Sequence, residues 1–175
     1  ARWQVETFNR VENYEDNQGA IYAAELRPDG RMLAAGGQDR EGRVWSPGSP
    51  KLVRKFGGRG VRSLAFSPDG KRLACGLPSG TIAVYDETAE NRLFRFRAHM
   101  GSVNCLAFTK DGGRLISGSS DATALVWDLA KVEQLARAEE ARRREERDKH
   151  KKKDKKKDKR KPPKPDPEGE DEEPL

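Results

Sequence analysis

The sequence predicts an all-β chain built from repeated short antiparallel units, followed by a charged helix and a disordered tail. Three observations predict it: self-similarity at intervals of about forty residues, a strand-and-turn pattern inside each repeat, and a change of composition after residue 128. The alignable segments are IYAAELRPDGRMLAAGGQDREGRVW, VRSLAFSPDGKRLACGLPSGTIAVY and VNCLAFTKDGGRLISGSSDATALVW. Asp29, Asp69 and Asp111 lie 40 and 42 residues apart, as do Gly36, Gly76 and Gly118, and Trp45, Tyr85 and Trp127. A fixed period of this length marks a stack of small supersecondary units.

Before the first repeat, the alternating run from Trp3 to Phe8 reads as the outer strand of a preceding unit. The repeats then occupy about 20–56, 60–97 and 102–128. In the middle one, Val61 to Phe66 alternates and ends at Ser67-Pro68-Asp69-Gly70, where Pro presets φ and Gly accepts φ > 0. Arg72 to Gly76 is a second short strand. Thr81 to Tyr85 is a third, β-branched and aromatic-ended. Leu93-Phe94-Arg95-Phe96 is a fourth, leading into the next unit. Four short strands in ~40–45 residues is the period of a propeller blade. The predicted fold is therefore a partial β-propeller of three four-stranded blades.

The residues resemble the WD-repeat β-propeller family over roughly 3–128. Ala98-His99 stands where that family has Gly-His, Trp127-Asp128 is its terminal dipeptide, and Tyr85-Asp86 and Trp45-Ser46 are degenerate forms of it. The resemblance implies a non-enzymatic scaffold that binds other proteins or peptides through loops on one face and rim, with Arg40, Glu41, Pro78, Met100 and Asp121 as candidate contacts. It also implies a structural hydrogen-bond chain on His99, Ser117, Asp121 and Trp127. The aligned positions are Gly57, Cys75, Ser79 and Tyr85 in the second repeat and Asn17, Ala35, Asp39 and Trp45 in the first, so the set is broken there. His99, Ser117 and Asp121 invite a hydrolase reading as well. No nucleophile elbow or oxyanion loop accompanies Ser117, which favours the structural one.

Propellers close with four to eight blades, typically. Three blades imply either the C-terminal part of a larger protein or self-association through the open end blades.

After Asp128 the period changes to helical: Leu129, Val132, Leu135 and Ala136 share a face, and Glu133, Glu139 and Glu140 each precede an Arg by four. A charged helix over 129–150 is expected, apolar only in its first two turns, with the remainder projecting into solvent. The tail, 151–175, is basic and then acidic, and Pro162 ends any helix at Lys161. Its composition predicts disorder.

Charge follows the same division. Residues 1–128 carry 18 Lys+Arg against 15 Asp+Glu, 129–161 carry 16 against 8, and 162–175 carry 1 against 6, within a net +6 for 175 residues. The 34% hydrophobic content, low beside the ~45–50% of globular chains (a class that also counts Gly), averages a strand-rich part with a tail that needs no core.

The basic positions Lys151, Lys152, Lys153, Lys155, Lys156, Lys157, Lys159, Arg160 and Lys161 are open to three readings: a solvated tail, a nuclear or nucleolar targeting signal, or contact with RNA, DNA or an acidic partner. The alternative to a plain scaffold is thus a ribonucleoprotein or ribosome-biogenesis scaffold whose tail contacts RNA. No aromatic follows Trp127, so such contact would run through phosphate and be steeply salt-dependent.

No apolar run approaches a membrane span, and the N-terminus lacks the apolar segment of a secretory signal. Location is expected in the cytoplasm for a bacterial source, or in the nucleus or nucleolus for a eukaryotic one. Cys75 and Cys105 sit in apolar strand-like runs and read as buried free thiols. No cofactor is expected. His99 and His150 lie in different regions and no Cys pair has zinc spacing, so no metal site is expected either. Gly57-Gly58-Arg59-Gly60 lacks a phosphate-loop ending and reads as a tight connection.

Overall fold

The computed structural model describes residues 2–4, 9–12, 14, 19–39, 41–49, 51–57 and 60–158, with only the backbone of 2–4, 9–12 and 150–158. Two units result, 1–137 and 138–175. The first holds thirteen strands among its described residues: β1 (Arg2–Gln4), β2 (Asn9–Glu12), β3 (Ile21–Leu26), β4 (Leu33–Gly37), β5 (Gly42–Trp45), β6 (Leu52–Phe56), β7 (Ser63–Phe66), β8 (Arg72–Gly76), β9 (Thr81–Asp86), β10 (Arg92–Arg97), β11 (Val103–Phe108), β12 (Arg114–Ser119) and β13 (Ala124–Asp128). They form antiparallel sheets in chain order: β1-β2, β3-β4-β5-β6, β7-β8-β9-β10 and β11-β12-β13.

Each first-to-second strand turn repeats one device. The Asp29, Asp69 and Asp111 carboxylates accept the backbone N–H two residues on, from Arg31, Lys71 and Gly113 at 3.0, 3.1 and 3.0 Å. The glycine after each Asp has φ of +71°, +68° and +69°, a conformation that side chains with a Cβ resist. This is why Asp-Gly recurs at the repeat interval.

The recurring glycine of the second strand has a different cause. A Cβ on Gly36 would lie 2.4 Å from the Val61 side chain, and one on Gly76 would lie 3.0 Å or less from Val103. Val61 and Val103 open the following repeats and are fully buried. Each is also tied by its N–H to the preceding repeat, Val61 to the Gly37 carbonyl and Val103 to the Leu77 carbonyl, both at 3.2 Å. Gly118, the third member, meets only Cys105 of its own sheet.

Two cores fill the gaps between sheets. Ala34, Val44 and Phe56 of the first four-stranded sheet meet Leu64, Phe66, Leu73, Cys75, Ala83 and Tyr85 of the next. On that sheet's other face Ala74, Ile82, Val84 and Phe94 meet Val103 and Leu115, with Leu129 and Ala136 joining from below. Leu73, Ile82 and Leu115 are fully buried, each contributing about 1.5–3 kcal/mol.

The described strands depart from the sequence expectations in four places. The strand expected over 3–8 is instead the pair β1-β2, with 5–8 outside the described residues. Trp3 precedes Trp45 by 42 residues, one of the two intervals of the repeat. The last sheet has three strands, because after β13 the chain enters α1 (Leu129–Asp158) rather than a fourth strand. That helix runs past the expected end at 150, since nothing before Pro162 removes a backbone donor or forbids helical φ; the tail beyond 158 lies outside the described residues. Cys105 is exposed, not buried, because no sheet among the described residues covers the far face of β11-β12-β13.

The second unit is described only as the continuation of α1. Its residues 138–149 are exposed, and Arg143 pairs with Glu139 at 2.5 Å, one turn apart.

Candidate functional site

The densest polar constellation lies in the last sheet and the loops at its top. His99 ends the connection from β10, Ser117 is mid-β12, Asp121 sits in the turn before β13, and Trp127 is near the end of β13. Strand pairing explains the convergence: Leu115 faces Trp127 and Ser117 faces Leu125 across β12-β13, placing Ser117 and the indole on one face, two residues apart in register.

The chain of bonds is complete. Trp127 Nε1–H donates to Ser117 Oγ at 2.8 Å. Ser117 Oγ lies 2.7 Å from His99 Nε2, and His99 Nδ1 lies 3.1 Å from Asp121 Oδ2 and 2.9 Å from Thr123 Oγ1. One assignment uses every group: Nδ1–H donates to the Asp121 carboxylate, and Ser117 O–H donates to Nε2. Asp121 also accepts from the Met100 N–H at 2.9 Å, the Thr123 N–H at 3.0 Å and the Thr123 hydroxyl at 2.6 Å. The Thr123 hydroxyl, the two N–H groups and His99 together hold the Asp121 carboxyl well below the usual carboxylate range, against the opposing effect of burial. Thr123 is a member that the family pattern did not point to; its place two residues after Asp121 is the available signal.

This geometry shares atoms with a hydrolytic triad, with its serine oxygen already engaged by the indole and the imidazole. The Ser117 and His99 side chains are shut off from solvent, and the indole N–H occupies the oxygen that a nucleophile would use. The constellation satisfies buried polar groups and ties the β10–β11 connection to the β12–β13 turn.

The first four-stranded sheet solves the same problem differently. Asp39, at the Asp121 position, pairs with Arg43 of β5, whose side chain is 5% exposed, and Arg43 also lies 3.6 Å from Glu41. Ala35 replaces the serine, and Trp45 Nε1 is buried without an acceptor among the described residues. The Trp45 ring meets Tyr14 at a centroid distance of 5.7 Å. Asn17 lies outside the described residues. In the second four-stranded sheet Tyr85 packs edge-on against Phe56 at 5.5 Å, and its hydroxyl bonds the Gly57 backbone. Burial pushes the Cys75 thiol up to about 12.

The loop positions differ in availability. Met100 is 81% exposed, and Pro78 is exposed on the β8–β9 turn. Glu41 is engaged by Lys55 at 2.9 Å as well as by Arg43, and Asp121 is spent on the bonds above. Arg40 and Arg59 lie outside the described residues, as do Lys159, Arg160 and Lys161; Lys151, Lys152, Lys153, Lys155, Lys156 and Lys157 fall on the described backbone of α1. Among the described residues no group of three or more His, Cys, Asp or Glu could hold a metal, and no helix is long and apolar enough to cross a membrane.

Comparison with known proteins agrees with the repeat fold. The chain is 32% identical over 117 residues to WD repeat-containing protein VIP3 of Arabidopsis thaliana, covering 55% of the chain and 35% of that protein. It is 34% identical over 65 residues to eukaryotic translation initiation factor 3 subunit I of Phaeosphaeria nodorum, covering 37% of the chain and 20% of that protein. Two solved structures match over 67% of the chain and 38% of theirs at 27% identity: U3-55K, with a TM-score of 0.64, and the WD40 repeats of RRP9, with 0.63. The chain thus spans between a fifth and two fifths of the length of such relatives. The family model described as WD domain, G-beta repeat matches residues 8–46, 50–86 and 90–128, and the chain belongs to this WD40 repeat family.

Proposed function

We propose that the chain is part of a larger WD-repeat scaffold that holds other proteins or peptides and carries out no catalysis itself. The observation that carries this is the state of the two end sheets. Gly36 and Gly76 each receive a valine from the following repeat, whereas Gly118 receives none, and Ile116 and Val126 stand 40% and 61% exposed on that open face. On the opposite side Leu26 of β3 is 52% exposed. Further blades stacked on both faces would bury these side chains. The relatives, about three times as long as the matched segment, have the length for them.

Partner contact is assigned to Pro78 and Met100 on the upper loops. They are exposed, and the bonds at Asp121 hold the Met100 backbone in place. The test is capture of partners from a lysate by the full chain, with Met100→Asp and Pro78→Asp variants beside it. Capture lost in the variants while their melting temperature is unchanged supports the proposal; capture that survives both contradicts the loop assignment. Light scattering separates the two accounts of the open faces, since a monodisperse oligomer contradicts the reading as part of a longer chain.

A second reading is favoured by the basic run of 149–161 together with the likeness to a translation initiation factor subunit and to U3-55K and RRP9. Here the scaffold belongs to a ribonucleoprotein, in the nucleus, nucleolus or cytoplasm of a eukaryotic cell, and the tail contacts RNA phosphates. RNA retention that falls steeply between low and moderate salt and disappears on deletion of 149–161 supports it. Retention unaffected by that deletion removes it.

A further inference from the structure

The strand β10 is the outermost of its sheet, and no strand among the described residues pairs with its far edge. An edge of this kind presents a row of unpaired N–H and C=O groups and is a template for an added strand. Its sequence, Arg92-Leu-Phe-Arg-Phe-Arg97, separates two chemistries by face. Phe94 and Phe96 stack at 6.4 Å and join the core against the last sheet. Arg95 and Arg97 point the other way, opposite Ala83 and Thr81 across β9-β10, and both are exposed.

The matching edge strand of the preceding sheet, β6, also carries two adjacent cations, but there they are neutralised. Arg54 lies 3.0 Å from Glu90 and Lys55 lies 2.9 Å from Glu41. Arg95 and Arg97 have no carboxylate partner among the described residues. Charges on an edge strand ordinarily guard against aggregation, and that role needs neither arginine nor alternate spacing. Arginine offers a fixed fork of donors that suits carboxylates. Two of them at i and i+2 stand about 7 Å apart, the repeat of side chains on one face of an extended peptide.

We propose that the β10 edge takes an extended acidic peptide as a fifth strand, with carboxylates two residues apart opposite Arg95 and Arg97. Main-chain bonds supply affinity and the arginine pair supplies the selection for acidic side chains. The site follows the sheet edge, and its Arg97 end, paired with Thr81, adjoins the loops that carry Pro78 and Met100. It rests on the scaffold reading only in supposing a protein partner, and its failure leaves the loop assignment standing.

The test uses the full chain and a ten-residue fluorescent peptide alternating Glu and Thr. Its measurements are anisotropy titration and hydrogen exchange of the β10 amides. The peptide is expected to slow exchange across residues 92–97, and the Arg95→Gln/Arg97→Gln double variant should bind about tenfold more weakly with an unchanged melting temperature. A control peptide alternating Glu and Pro, equal in charge but unable to complete the ladder, should leave β10 exchange unaltered. Binding that is indifferent to the double variant, β10 protection by the Glu-Pro peptide, or protection of 92–97 by a ten-nucleotide oligouridine instead of the peptide would overturn the proposal. Absence of any β10 protection overturns it too, including where the basic helix takes up the peptide.

Discussion

Trp127 donates its indole N–H to the Ser117 hydroxyl at 2.8 Å, while Trp45, at the same repeat position, buries its N–H with no acceptor among the described residues. The difference traces to one atom: Ala35 stands ten residues before Trp45, as Ser117 stands ten before Trp127. Ala35→Ser should therefore restore the bond. An intramolecular hydrogen bond is worth about 1 kcal/mol net, and relieving an unpartnered buried donor adds to that. The expected outcome is a rise in melting temperature of a few degrees, measured by calorimetry. No gain, or a loss, would show that the indole N–H is already satisfied.

Stability should depend on pH at the acid end. The Arg27 guanidinium and the Arg31 N–H hold the Asp29 carboxyl down to about 2. Asp121, Asp69 and Asp111 are lowered as well, led by the hydroxyls of Thr123, Ser67 and Thr109 respectively. With pKa values lower in the folded state than in the unfolded one, these groups stabilise the fold above the ordinary carboxylate range. That contribution is lost as pH falls through the folded values. The melting temperature is thus expected to drop between about pH 4 and pH 2, and Asp121→Asn should flatten the drop. A flat acid limb in the parent protein contradicts this.

The repeat, its strands and its turns were legible because each is written in residues with one physical purpose. Asp29-Gly30, Asp69-Gly70 and Asp111-Gly112 mark turns, and Gly36 and Gly76 mark close approach of the next sheet. The last blade's lock was legible because all four of its residues are present. What the alignment concealed is compensation. Position 39 looked like a leftover of an incomplete set, yet it pairs with Arg43, a residue outside the pattern. The fate of Cys105 was also hidden, since its strand reads as apolar and it is exposed because no described sheet covers its face. The two-strand nature of the N-terminal segment needed Trp3 to be counted as a repeat position.

The two thiols should differ sharply in reactivity. Cys75 is fully buried with its thiol pushed up to about 12, whereas Cys105 lies exposed on the open face. Reaction occurs through the thiolate and needs access. With a chromogenic disulfide reagent at pH 8, one thiol per chain should react in the native state and the second only on unfolding. Two native thiols would contradict the burial of Cys75. None would show that the face carrying Cys105 is covered in solution, as a self-associated form requires.

We propose that His99, Ser117, Asp121 and Trp127 hold the last blade together and perform no reaction. Ser117→Ala tests it most directly, read by thermal unfolding and by hydrolysis of a nitrophenyl ester in parallel. Removing the hydroxyl leaves the Trp127 N–H and the His99 Nε2 unpartnered in a site closed to water, a cost of about 1–3 kcal/mol. A fall of several degrees in melting temperature is expected, with an ester hydrolysis rate identical to that of the parent protein. Turnover by the parent that disappears in Ser117→Ala, with the melting temperature unchanged, would contradict it.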